Sequence, residues 1–358
     1  MGQSELKNRP KLPNNARLLA TAIGLVAGKQ PGHSFRRCFH GYPTMNRFSI
    51  VIPITRDNRQ NNEVQRFEDT LASVLRSRPE QSQVVVVHDG HYEDPHGLGA
   101  EVDWVVETSP QLTSQFDMGV SACQGELITL IRPGIELDEG WEHAIGAAFE
   151  DPQVGSLTPL IVPISQPTRI ATAGVTMKTN GTRQLLGSQQ RLAPRTLRRL
   201  KPLGPSSHLA VYRRSAINAI GELACLTESV YLDIEVALSL RALGFSNVLC
   251  ADTVATTDSE HKILTESSCP HGCTAERALY RYGQRGTSAP WLRTVTDILS
   301  ATINPWRLRH GFQRLAARRQ RSADQSFRRH LEVVKHTESW SETTIHPEST
   351  LSDQRRAA

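Results

Sequence analysis

Residues 48–90 read FSIVIPITRDNRQNNEVQRFEDTLASVLRSRPEQSQVVVVHDG, and this stretch decides the fold. Phe48–Ile54 (FSIVIPI) is a short apolar, β-branched run with a proline near its end, the pattern of a strand buried on both faces. In Val64–Leu75 apolar residues stand at 64, 67, 71, 74 and 75, which is helical spacing. Gln83–Val87 (QVVVV) reads as a second buried strand, closed by His88-Asp89-Gly90.

Working outward, the alternation continues. Trp104–Val106 is a short third strand and Gln115–Cys123 a helix. Glu126–Ile131 (ELITLI) is a fourth strand, stopped by Arg132-Pro133-Gly134, and Gly140–Phe149 is a helix. Strands alternating with helices imply an α/β fold with a mostly parallel sheet covered by helices on both faces. The second half reads as a strand at Val154–Val162, a hairpin-like stretch to Gly187 and a basic loop to Pro205. A strand at Leu209–Tyr212 and a helix at Arg214–Ile220 follow. Asp233–Leu243 is helical and ends at Gly244, a C-cap signal; Ser246–Cys250 is the last strand. Glu276–Gly283 and Trp291–Arg319 look helical, and beyond Ser322 the chain is polar, without pattern and expected to be disordered. The expected division is a flexible basic extension over 1–46, the α/β domain over 47–260, a helical extension over 261–321 and a tail over 322–358.

Composition sets the outer limits. The 358 residues are 38% hydrophobic and 22% charged, which excludes collagen, coiled coil and wholesale disorder. Aromatic residues make up 6%, too few for a stacking platform on single-stranded nucleic acid. No helix-turn-helix, zinc or RNA-binding signature is present, so no nucleic-acid partner is expected. The excess of basic residues, +5 overall, concentrates in Arg195–Lys201 and Arg307–Arg321. Six scattered cysteines make no disulfide framework, and a reducing, cytoplasmic setting is expected. Cys269-Pro-His-Gly-Cys273 offers only part of a metal site, lacking a second ligand pair. Leu18–Gly28 is the longest apolar run at eleven residues, short of the roughly 18 that span a bilayer. It has the look of a signal-peptide core, but Met45 stands directly before the first strand, so residues 1–44 read better as a dispensable extension or the product of a misplaced start.

In an open parallel sheet ligands bind at the carboxyl ends of the strands. Four positions lie there: Thr55-Arg56-Asp57, Asp89-Gly90, Asp117-x-Gly119 and Arg132-Pro133-Gly134; a fifth, Asp233, opens a late helix. In this order and spacing the chain resembles the family 2 glycosyltransferases, which carry the GT-A fold, a Rossmann-like sheet flanked by helices. Ser49–Arg56 (SIVIPITR) is similar to the nucleotide-binding opening of that family, and Val84–Gly90 (VVVVHDG) to its second strand and double-aspartate turn. Asp117–Glu126 resembles its asparagine-x-glycine helix and Asp151–Pro163 its mid-domain strand. Val211–Gly221 and Asp233–Phe245 resemble its acceptor-side strand and base-bearing helix, so the resemblance covers residues 48–258.

The resemblance implies a nucleotide-sugar donor, an acceptor hydroxyl and inversion at the anomeric carbon. It assigns donor or acceptor contacts to Pro53, Thr55, Arg56, Asp89, Gly90, Asp117 and Glu235, and the catalytic base to Asp233. The departures are instructive. His88-Asp89 replaces the paired aspartates, Leu232 the glutamate before the base, and Ser239 an arginine. The metal-binding Asp-x-Asp falls on Arg132-Pro133-Gly134, where no carboxylate remains. Arg132 could offer bidentate donors to the diphosphate instead, which would make transfer metal-independent and leave no metal ligand to assign. Glu136 and Asp138, just beyond, are where a displaced Mn or Mg ion would sit. Each position also has a structural reading: a turn at Asp89 and Arg132, an N-cap at Asp233. The basic Trp306–Arg321 segment, with Leu308, Phe312 and Leu315 on one face, is expected to pack on the domain. The alternative seat is peripheral, on the inner membrane surface near a lipid-linked acceptor. The reading is thus a cytoplasmic glycosyltransferase. Its rival is a catalytically degenerate scaffold of the same fold that binds a nucleotide or a protein.

Overall fold

The structure is a computed structural model that describes residues 47–54, 63–178, 182–223, 229–258, 282 and 326–335. Strands β1 (Phe48–Ile54), β2 (Gln83–His88), β3 (Asp103–Val106), β4 (Leu127–Ile131) and β5 (Ile135–Leu137) occupy the first half. They are interleaved with helices α1 (Glu63–Ser77), α2 (Leu112–Ala122) and α3 (Trp141–Ala148). Then come β6 (Val154–Pro163), the hairpin β7 (Val175–Met177) and β8 (Arg183–Leu185), the single turn α4 (Pro194–Leu197) and β9 (Leu209–Arg213). Helices α5 (Arg214–Ile220) and α6 (Leu232–Leu243) precede β10 (Ser246–Thr257).

Eight strands form one sheet in the order β3-β2-β1-β4-β9-β6-β10-β5, and β7-β8 form a small second sheet. β1 runs parallel to β2 and β4, β2 to β3, and β6 to β10; β9 is antiparallel to β4 and β6, and β5 to β10. The α/β class, the mostly parallel sheet and the flanking helices expected from the sequence are all present.

The continuous apolar strands follow from burial on both faces. Phe48, Ile50, Ile52 and Ile54 of β1 enter the core formed with Phe67, Leu71 and Val74 of α1. Val51, between them, enters the opposite core with Val85 and Val87 of β2 and Phe116 and Val120 of α2. Each buried Val or Ile contributes about 1.5–3 kcal/mol, so a strand that feeds two layers selects such residues at every position. Cys123 closes the second core, and burial pushes its thiol pKa up to about 12. Iodoacetamide at about pH 8 should therefore leave Cys123 unmodified in the folded protein and label it only on unfolding, as read by mass spectrometry. Labelling of the native chain at Cys123 would contradict this burial.

Four elements differ from expectation, the first being the turn α4, whose Pro194 at the first helical position starts a single turn inside the basic loop. β5 was hidden in the sequence because a three-residue strand after Arg132-Pro133-Gly134 carries too little periodicity to detect; its pairing with β10 defines it. β10 extends past Cys250 to Thr257, because a bulge between Cys250 and Val254 loops out the intervening residues and restores register with β6. Residues 326–335, read as part of a patternless tail, are helical, and Leu331 is buried in the second core beside α5 and α6. Three apolar side chains on that one turn face, Phe327, Leu331 and Val334, were outweighed by their polar neighbours. The expected helices at Glu276–Gly283 and Trp291–Arg319, the segment 306–321, the extension 1–46 and the Cys269–Cys273 cluster lie outside the described residues, Tyr282 excepted.

Candidate functional site

The chain reverses direction across the sheet between β1 and β4, the position at which open α/β sheets open a crevice at their carboxyl ends. β1 stays paired with β2 up to Ile54↔His88 but with β4 only up to Val51↔Leu130, so the two strands part there. Pro53 lies in this parting, buried, in register with Val87 of β2 and beyond the last β1–β4 pair. A residue without an N–H is tolerated where one neighbour has left. Gln115 of α2 donates to the Ile54 carbonyl at 3.5 Å and closes the floor of the parting. Thr55 and Arg56, expected next along the loop, lie outside the described residues.

On the β2 side, Asp89 and Gly90 form a turn. The His91 amide donates to Asp89 Oδ1 at 3.1 Å, and Gly90 has φ +87°. Beside it Tyr92 and Trp104 stack with ring centroids 5.5 Å apart, and His88 meets Trp104 edge-on. Burial and the Glu68 carboxylate, which accepts from the Tyr92 hydroxyl at 3.4 Å, push the Tyr92 pKa up to about 12. Sequence reading missed this aromatic wall because the two rings are far apart in the chain and neither stands in a motif.

On the β4 side, Arg132-Pro133-Gly134 is held by backbone bonds to three elements. The Arg132 amide donates to the His208 carbonyl at 2.9 Å, and the Gly134 amide to Thr70 Oγ1 of α1 at 2.9 Å. Thr257 Oγ1 of β10 donates to the Gly134 carbonyl at 2.8 Å. Gly134 sits at φ +92°, where only glycine is unstrained, so the turn is built for this backbone. The half-buried Arg132 side chain thereby leaves the sheet at the end of β4. The donor set here, a guanidinium and a glycine whose amide and carbonyl are both bonded, does not fit a divalent cation, which takes oxygen ligands and mostly carboxylates. Glu136 is on β5 opposite Thr256, and desolvation, then the Glu136 charge, raises the Asp138 carboxyl pKa. Among the described residues no three His, Cys, Asp or Glu side chains converge as metal ligands.

The end of β4 and the head of α6 are joined through the loop before β9. Its His208 carbonyl accepts from Arg132, and the Ser207 amide, one residue earlier, donates to Asp233 Oδ2 at 3.1 Å. Asp233 and Arg132 are therefore anchored on adjacent residues of one loop. Asp233 does not act as an N-cap: α6 starts one residue earlier and is preceded by a 3-10 turn over Ser229–Tyr231. Gly244 closes α6 as expected, with the Gly244 and Phe245 amides bonding the Arg241 and Leu240 carbonyls in a Schellman motif.

The surroundings of Asp233 are the main surprise. Its side chain is fully buried and Arg183 of β8, 1% exposed, clamps it. Arg183 Nε lies 2.9 and 3.1 Å from the two carboxylate oxygens, and a terminal nitrogen lies 2.6 Å from Oδ2. The Ile234 amide adds a further bond to Oδ1 at 2.9 Å. Burial, and after it the Asp233 charge, drives the Tyr212 hydroxyl pKa far upward. Arg183 carries no sequence signal: it is 50 positions from its partner and sits in a plain Thr-Arg-Gln context.

Glu235 is fully buried, one turn into α6. Ser239 donates to the Glu235 carbonyl at 2.8 Å and shares a 2.8 Å bond with the Tyr282 hydroxyl. Asp117 lies apart from the crevice wall, its Oδ1 accepting from the Leu223 amide after α5 at 2.9 Å. The structure thus gathers Pro53, Asp89, Gly90, Arg132 and Asp233 along one edge, with Asp117 and Glu235 set into supporting helices.

Neither a protein-family model nor a curated protein sequence matches the chain. Among solved structures it is similar to S. aureus TarS 1-349 in complex with UDP-GlcNAc, with 13% identity and TM-score 0.46 over 86% of this chain and 95% of that one. A second structure of S. aureus TarS 1-349 gives 12% identity and TM-score 0.41, with 72% of this chain and 71% of that one covered. GalNAc-T7 with UDP, GalNAc and Mn2+ gives 14% identity and TM-score 0.44 over 60% of this chain; the chain spans 43% of GalNAc-T7. Among the described residues no helix is long and apolar enough to cross a membrane.

Proposed function

We propose that the chain is a GT-A-type glycosyltransferase that moves a sugar from a nucleotide-sugar to an acceptor hydroxyl. The observation that carries this reading is the crevice where β1 and β4 part. One loop there tethers Arg132, at the end of β4, and Asp233, at the start of α6, through adjacent residues. The Asp89-Gly90 turn and the Tyr92–Trp104 wall would take the nucleotide, and Arg132 the diphosphate. The acceptor oxygen attacks the anomeric carbon on the face opposite the diphosphate, so the configuration inverts as that bond breaks, and Asp233 takes the hydroxyl proton. A base must come within about 2.6–3.2 Å of that proton. Asp233, clamped by Arg183, would reach it only in a conformation in which the β7–β8 hairpin withdraws. Carrying two negative charges without a cation, the leaving diphosphate would rest on the Arg132 fork, which suits phosphate bidentately.

A second reading, a scaffold that binds a nucleotide or protein without chemistry, is favoured by one observation, the sealing of Asp233. Calorimetric titration with UDP, GDP and dTDP, each in EDTA and then with manganese, tests the nucleotide site, and release of free nucleotide from the matching nucleotide-sugar separates a transferase from a scaffold. One nucleotide is expected to bind in EDTA, and Arg132→Ala to weaken it about tenfold, as befits one lost charge-assisted bond. Binding only with manganese would overturn the assignment of Arg132 and point to Glu136 and Asp138. Absence of binding to all three would favour the scaffold.

A further inference from the structure

We propose that the excursion between β6 and β9 is a docking surface for an anionic polysaccharide, which would be the acceptor class of the transferase proposed above and rests on that reading. The run from Pro152 to Gly221 holds ten Lys and Arg and not one Asp or Glu, against a whole-chain excess of five. Arg183 and Arg213 pair with Asp233 and Glu126. Lys178, Arg169, Arg191, Arg195, Arg198, Arg199 and Lys201 are exposed, and among the described residues no acid neutralises them. So long an acid-free stretch exceeds a solvated face, on which both signs normally mix.

Two further observations point to a ligand. Arg169 and Arg191 form an antiparallel bridge, held by Ile170 and Leu192 amide bonds on either side, which sets two like charges directly opposite each other. Like charges so placed destabilise each other, which an anion beside them would relieve; the Arg169 guanidinium also donates to the Gln189 carbonyl at 3.1 Å. At the base of the excursion a cavity of about 380 Å3, within the usual range for ligand sites, has Lys201, Arg241, Ser156 and Asn247 in its wall together with apolar side chains such as Leu240 and Phe245. Its inner wall is rigid: Asn247 Oδ1 accepts from Ser156 at 3.0 Å and from Thr158 at 3.1 Å. Lys201 and Arg241 are exposed at its edge. One acidic sugar unit in the cavity, with its neighbours along the arginines, satisfies both features.

The partner's other chemistry follows from what the surface lacks. Tyr212 is the sole Phe, Trp or Tyr between 152 and 221, and it is buried; the cavity adds the single ring of Phe245, so successive bases find no row of rings to stack on. Ile164 is the one exposed large hydrophobic side chain of the described excursion, too little to enter a bilayer. An anionic polymer without bases or acyl chains is what remains: a carbohydrate bearing sulfate, carboxylate or phosphodiester groups.

The test measures binding of size-defined heparin and polygalacturonate to the full chain, without nucleotide, across a salt series. Transfer RNA and phosphatidylserine vesicles serve as competitors of the other classes. Both polysaccharides are expected to bind at about 0.1 M salt and weaken as salt rises, as counterion release requires. A variant with Arg195→Ala, Arg198→Ala, Arg199→Ala and Lys201→Ala should lose at least about tenfold in affinity and flatten the salt slope. The corresponding Arg→Lys variant, which keeps the charge, should retain binding. No binding to either polysaccharide, an unchanged quadruple-Ala variant, or tighter binding to tRNA or vesicles would overturn the proposal. Because nucleotide is absent, failure here is distinct from failure of nucleotide binding in the crevice.

Discussion

Replacing Arg183 by methionine is expected to lower the thermal midpoint by roughly 10 °C or more. Asp233 would then be a fully buried carboxylate with its guanidinium gone, keeping only the Ser207 and Ile234 amides, which solvate a charge but do not neutralise it. Breaking one half of a buried ion pair costs about 3–5 kcal/mol, and a domain of this size shifts by about 2–4 °C per kcal/mol. The reverse change, Asp233→Asn, removes the carboxylate that Arg183 grips with two nitrogens and should also destabilise. A lost transfer rate in that variant would thus not by itself identify a base. The double variant Arg183→Met with Asp233→Leu removes both charges and should recover most of the midpoint, since an apolar pair of similar volume is often as stable as an ion pair. Calorimetric melting of the three variants checks this. An Arg183→Met protein melting within about 2 °C of wild type would show that the pair is not closed in solution and would restore Asp233 as an open carboxylate.

Gly119→Val should cost roughly 3 kcal/mol and be visible as a lower denaturation midpoint at unchanged m-value. A Cβ at this position would lie 2.3 Å from Val51 Cγ1 and 3.1 Å from Val87 Cγ2. Both valines belong to central strands with helices packed on them, so neither can retreat, and α2 would have to lift off the sheet. Gly119→Ala combined with Val51→Ala should regain part of the loss by restoring the space. A neutral Gly119→Val would mean that α2 is not seated on β1 and β2 as described. The glycine of Asp117-x-Gly119 is there for the close approach of a helix to a sheet. Its partner Asp117 ties that helix to the loop after α5.

Those two residues show where sequence reading stopped. Asp117-x-Gly119 reads as part of a binding pattern because it stands near a strand end, and linear spacing cannot say which face of α2 the carboxylate takes. The same holds for Asp233. Its position before Gly244 and the C-cap were legible, because helix ends are coded locally. Its clamp was not, because Arg183 reaches it only when the β7–β8 hairpin folds over α6. Asp89 carried both a turn and a binding reading in the sequence; the structure places it in a turn whose neighbours, Tyr92 and Trp104, come from separate segments.

The sequence by itself determined the order and kind of the elements from β1 through α6 apart from β5 and the single turn α4. Each buried strand must present apolar side chains to two layers, and each helix a stripe to one, and both demands are written within a few consecutive residues. Only the tertiary structure decided that β5 pairs at all, that β10 continues beyond its bulge, and that residues 326–335 cover the second core. It also decided that the carboxylate at the head of α6 is sealed by an arginine 50 residues away. Register, bulges and ion pairs are settled between segments distant in the chain. Their free energy comes from contacts that exist only after the sheet has closed, so no local pattern encodes them.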